Sequence, residues 1–198
     1  MNTRTLILSM VTILVLLGFR MATPSLSDDD RKFGVNYLKE TRAEVLSLVK
    51  GLTDEQLSFR ASEDSWSIAQ CLEHIAASED FIFNLSQMAL DNSAEKSELA
   101  FTDSELIRIM TDRSNKAKAL DVLQPGEKAV TTTLKAFKIA RDQHIAYLKK
   151  TDDALRSSYF DFPFGKGDAY QVLLFMGAHS SRHAAQIREI LASPEFPK

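Results

Sequence analysis

Three histidines constrain this chain more than any other feature of it. His179 and His183 lie four residues apart in His179-Ser180-Ser181-Arg182-His183-Ala184-Ala185-Gln186-Ile187, and His74 ends Trp66-Ser67-Ile68-Ala69-Gln70-Cys71-Leu72-Glu73-His74. The chain has only 4 histidines, so three of them fall in these two segments. Both segments read as helix. An i, i+4 pair projects both imidazoles from one helix face, about 6 Å apart along the axis. Taken singly, a helical histidine is more often a core or surface residue than a ligand. His179 and His183, however, share a stripe with Val172, Met176 and Ile190, and polar rings on an apolar stripe need partners. A divalent metal ion would partner both. A third imidazole from a neighbouring helix would complete a three-nitrogen set with open positions, the ligand count of a catalytic rather than a closed structural site.

The remaining composition narrows the function classes. The chain has 198 residues, enough for one domain with an N-terminal appendage. Hydrophobic residues make up 44%, sufficient for a sizeable core, and only 7 Gly and 5 Pro argue against a turn-rich all-β fold. The net charge of −3 and the lack of a basic stripe give nucleic acid binding no electrostatic support. Cys71 is the single cysteine, which excludes an intrachain disulfide and a zinc ribbon.

The N-terminus reads as a separate segment. Arg4 precedes an uncharged run from Leu6 to Phe19, 14 residues long and short for a spanning helix of about 20. The run suits the apolar region of a secretory signal, with cleavage before Asp28, or a short membrane anchor. Residues 1–27 are therefore expected to direct export or anchoring at the cell envelope, and residues 28–198 to form the folded domain. The membrane would be met only through this segment.

Apolar periodicity predicts four long amphipathic helices. The first runs from the acidic Asp28-Asp29-Asp30 to about Lys50 and is closed by Gly51. The second opens with the capping box Ser67-x-x-Gln70 and reaches about Leu90. A short helix is expected over 102–114. The third long helix is capped by the Thr131–Thr133 cluster and ends near Lys150. Asp168 caps the last, which runs to about Ala192. Residues 157–167 read as a loop, and one long connection separates the second and third long helices. The expected fold is an all-α four-helix bundle.

The paired motifs Trp-Ser followed by His at a helix start and His-x-x-x-His-x-x-Gln-Ile in the last helix resemble the DinB-like superfamily, over residues of about 30–192. The resemblance implies an up-up-down-down bundle with one divalent metal ion held by His74, His179 and His183. Zinc, nickel, iron and manganese all suit imidazole sites. Relatives that use bacillithiol or mycothiol imply thiol transfer, and general metal chemistry equally allows hydrolysis of a small molecule. The alternative is a non-enzymatic metal- or ligand-binding protein. A homodimer through helix faces is compatible with either.

Other residues carry weaker signals. His144 reads as a flanking or exposed histidine. Arg141 can point into the pocket and bind an anionic substrate group. Trp66 reads as a packing anchor and Cys71 as a buried thiol. Gln186 is placed to orient a ligand histidine. Glu73 and Glu189 adjoin the site on their helices, with neighbours that suggest solvent. Gly165-Lys166-Gly167 is too little for a phosphate loop and reads as a turn.

Overall fold

The computed structural model describes residues 26–91, 97–114 and 118–198. Its elements are α1 (Asp28–Leu48), α2 (Asp54–Ser58), α3 (Ile68–Asp91), α4 (Asp103–Thr111), α5 (Val130–Lys150), a hairpin of β1 (Tyr159–Phe162) and β2 (Gly165–Asp168), and α6 (Ala169–Leu191). The long helices α1, α3, α5 and α6 form the four-helix bundle. Each of α1 and α3 packs on both α5 and α6.

Local chemistry explains most helix starts. Ser27 accepts from the Asp30 amide at α1, and three acidic side chains follow in the first turn. Ser67 and Gln70 exchange hydrogen bonds of 3.2 and 3.0 Å at the entrance to α3. Asp168 and Gln171 do the same at α6, and Thr53 and Thr102 make capping boxes for α2 and α4. The threonine cluster does not cap α5. That helix begins at Val130 with Ala129 as its N-cap and no side-chain bond there, one turn earlier than the threonines suggest. Gly51 follows α1 at φ +80°, a left-handed turn that releases the chain toward α2.

The order of directions differs from the expected up-up-down-down. Arg31, at the start of α1, donates to the carbonyls of Leu148 and Thr151 at the end of α5, so these two helices are antiparallel. Tyr170 Oη donates to the Asp30 carbonyl and Ser181 to Glu44, so α1 and α6 are parallel. Lys128 meets Glu73, Arg141 meets Glu79, and Gln87 meets Tyr147, so α3 and α5 are parallel. The bundle is therefore up-down-down-up. Hydrophobic periodicity is blind to direction, which connection geometry sets instead. Parallel α3 and α5 require the long connection to travel back along the whole bundle, and α4 lies on that path, packed against α6.

The second departure is the hairpin at residues 159–168, expected as a loop. Tyr159 pairs with Asp168 and Phe162 with Gly165. Arg156, just before it, binds Asp30, Asp103 and Asp168 and lies 4.0 Å over the Tyr170 ring. One guanidinium thus ties together the starts of α1, α4 and α6. Leu26 is buried in the adjoining core, so the folded unit includes the two residues before α1.

Candidate metal centre

His74 lies in the second turn of α3, and His179 and His183 lie in the middle of α6. Because α3 and α6 are adjacent and antiparallel, the three imidazoles converge. Their ring centroids are 4.6 to 4.9 Å apart. One nitrogen from each ring lies within 4.8 Å of the others, a group that could hold a metal ion. His74 Nε2 and His179 Nε2 are 3.0 Å apart. Ligands about 2.1 Å from one ion and at right angles would span about 3.0 Å.

The surroundings fix which nitrogen faces inward. His74 Nδ1 lies 2.8 Å from the Leu123 carbonyl, to which it donates, leaving the Nε2 lone pair toward the site. His183 Nδ1 donates to Gln186 Oε1 at 2.9 Å, which sets the same tautomer. Gln186 therefore occupies the orienting role its spacing suggested. Burial depresses the pKa of His74. Burial pushes His183 down to about 3, with the His74 charge adding to the effect. Burial also drives His179 well below its ordinary value, followed by the nearby His183 and His74. All three are neutral at physiological pH, the protonation state a metal ion requires. A set of buried, neutral, convergent nitrogens thus fits a divalent cation.

Aromatic rings flank the cluster. Trp66, read as a packing anchor, lies 4.9 Å from His74 and stacks on His183 at 5.9 Å. Phe175 lies 6.2 Å from His179 on the other side.

Other expected site residues fall elsewhere. Arg141 is fully buried. It donates to Glu79 through Nε and Nη2, to the Leu38 carbonyl and Thr41 through Nη1, and to Ser180 through Nη2. No donor is left for a substrate anion. His144 is buried rather than flanking. It stacks on Phe83 at 4.5 Å and places its two nitrogens 3.4 and 3.2 Å from Glu79 and Asp80. Burial pushes the Glu79 carboxyl up, yet Arg141 and His144 outweigh it and its pKa is lowered. Cys71 is buried as expected, and burial pushes its thiol up to about 12, so it is not activated. Glu73 is buried against Lys128 rather than solvated. Glu189 is exposed and pairs with Arg113. Lys166 sits in β2 and pairs with Asp161 at 3.0 Å, so the two flanking glycines belong to a hairpin.

The Leu123 carbonyl had no counterpart in the sequence reading. It lies in a short 3-10 turn of the long connection, and a backbone acceptor leaves no side-chain signature.

The DinB superfamily model matches residues 37–187. The chain belongs to the DinB superfamily. It is 25% identical to the uncharacterized protein YuaE of Bacillus subtilis (strain 168) over 159 residues, covering 79% of this chain and 96% of that protein. The fold is similar to that of YfiT from Bacillus subtilis, described as a probable metal-dependent hydrolase with an unusual four-helix bundle topology. The TM-score is 0.57 at 19% identity, with 84% of this chain and 88% of that chain covered.

These findings correct the expectation of export or membrane anchoring. The likeness to YfiT takes in most of both chains. No helix among the described residues is long and apolar enough to cross a membrane. The cell-envelope assignment is not retained. The run from Leu6 to Phe19, on which the leader reading rested, lies outside the described residues.

Proposed function

We propose that this DinB superfamily member is a metal-dependent hydrolase acting on a small molecule, with His74, His179 and His183 as the ligands of one divalent ion. The observation that carries the reading is the convergence of three neutral imidazoles, two buried and His179 partly buried, from two antiparallel helices. The description of YfiT as a probable metal-dependent hydrolase favours hydrolysis over thiol transfer. A divalent ion there would supply Lewis acidity toward water or a substrate carbonyl. The chain's own residues do the positioning. Leu123 and Gln186 hold two ring tautomers with their lone pairs inward. Trp66 packs against the His74 and His183 rings.

One observation supports a second reading, a metal-binding protein without turnover. The two carboxylates nearest the site in sequence, Glu73 and Glu189, are engaged by Lys128 and Arg113. A general base is not evident among the described residues. Metal analysis of the purified chain, followed by assays on panels of small amides and esters, decides between the two. One equivalent of metal with turnover, both lost in His183→Ala while helicity is kept, is the expected result. Stoichiometric metal without turnover would favour the second reading. A helical His183→Ala variant that still binds one ion tightly would remove the basis of both.

A further inference from the structure

From Ala169 to Ser180, every residue of α6 is buried except Phe175 and His179. The two lie one helical turn apart on the same face. Their rings are nearly parallel, 22° between planes, with centroids 6.2 Å apart. The two partly exposed side chains of this stretch, an imidazole and a phenyl ring, are therefore neighbours. Beyond Phe175 the aromatic contacts continue into the hairpin through the buried Phe162. Phe162 is 5.5 Å from Phe175, and Phe164 stacks on Phe162 at 5.3 Å while remaining 41% exposed. A strip of aromatic rings thus runs from a candidate ligand imidazole to the surface.

Two arginines close to His179 and His183 are already committed. Arg182 donates to the carbonyls of Met110 and Asp112, and Arg113 makes a two-point pair with Glu189. A polar substituent beside Phe175 would give up water for a ring face that offers no hydrogen bond. A flat apolar group would gain burial and offset stacking there. We infer that the substrate carries an aryl or comparably flat apolar group about one helical turn from the atom that approaches the histidines, and that Phe175 is the residue that selects it. This inference rests on the metal-site reading above, because the strip matters only if its inner end is where chemistry occurs.

Two hydroxamates test it on the zinc-loaded full chain. Acetohydroxamate and phenylacetohydroxamate carry the same chelating head on a saturated carbon and differ by one phenyl ring. Calorimetric titration should show the phenyl probe binding at least tenfold more tightly. Phe175→Ala should bring that ratio close to one and leave acetohydroxamate affinity and zinc stoichiometry unchanged. Phe175→Leu keeps apolar volume without the ring and guards against misfolding. It should retain helicity and show an intermediate ratio. Retained acetohydroxamate binding with no phenyl preference in the wild type would overturn this inference alone. So would a preference that survives both substitutions. Failure of the zinc-loaded chain to bind either probe would overturn this inference together with the metal-site reading.

Discussion

Neutral histidines at the site couple protonation to stability. The three folded-state pKa values lie below the ordinary histidine value of about 6.5, that of His183 at about 3. Above pH 6.5 both the folded and unfolded chains hold these rings neutral, and their contribution is fully present. As pH falls below 6.5 the unfolded chain takes up protons that the folded, metal-free chain does not, so stability declines. One such group contributes at most about 1.4 kcal/mol per pH unit, so His183 alone can account for about 2 kcal/mol by pH 5. Denaturant melts of metal-free protein between pH 7.5 and 5 should show this slope, and His183→Gln should flatten it. An unchanged slope in that variant would show that His183 is not held neutral by burial. Gln186 gives a second prediction at this scale. Gln186→Ala removes the acceptor that fixes the His183 tautomer and should weaken metal affinity about 10- to 100-fold with little effect on helicity. Competition with a chromogenic chelator would measure it. His179, His183 and Gln186 were legible because helical spacing places them on one face of α6, and His74, on α3, through the resemblance of the paired motifs. Trp66 as a wall of the site was not, since it precedes its helix and reaches His183 only across the α3–α6 interface.

Among the elements, the helices announced themselves and the hairpin did not. Capping boxes at Ser67 and Asp168 use residue pairs three apart, a pattern readable without any tertiary information. The hairpin strands have four residues each, and β2 reads Gly-Lys-Gly-Asp, which carries no alternation of apolar and polar side chains. They are held instead by tertiary contact. Phe162 packs among Phe101, Phe160, Phe164 and Phe175, and the Ala100 amide donates to the Lys166 carbonyl at 2.8 Å. Gly165 sits at the turn with φ +140°, and a Cβ there would lie 2.6 Å from the Ala100 Cβ. Both the backbone conformation and the space exclude a side chain. Gly165→Ala should therefore destabilise the protein by about 1–3 kcal/mol. Thermal unfolding by circular dichroism would register the loss. A melting temperature equal to that of the wild type would mean that the hairpin adjusts freely and does not brace the α6 entrance.

For the whole molecule, the direction of the helices was beyond the reach of periodicity, and their packing includes one buried polar link. Arg141 of α5 binds Glu79 of α3, Leu38 and Thr41 of α1, and Ser180 of α6, so one buried guanidinium contacts every helix of the bundle. The sequence suggested that Arg141 points into the pocket and binds an anionic substrate group. The anion is supplied internally by Glu79, five residues after His74. Burying such a pair gains little net stability over apolar packing, because desolvation offsets the attraction. Removing one member is different, since it leaves the other charge buried and unpaired. Arg141→Met should cost about 3–5 kcal/mol, as should Glu79→Leu. The double substitution should recover most of that loss, because it removes both charges from the same buried region. Denaturant unfolding of the four proteins in the cycle would measure the coupling. If the two single losses simply add in the double variant, Arg141 and Glu79 do not act as a pair.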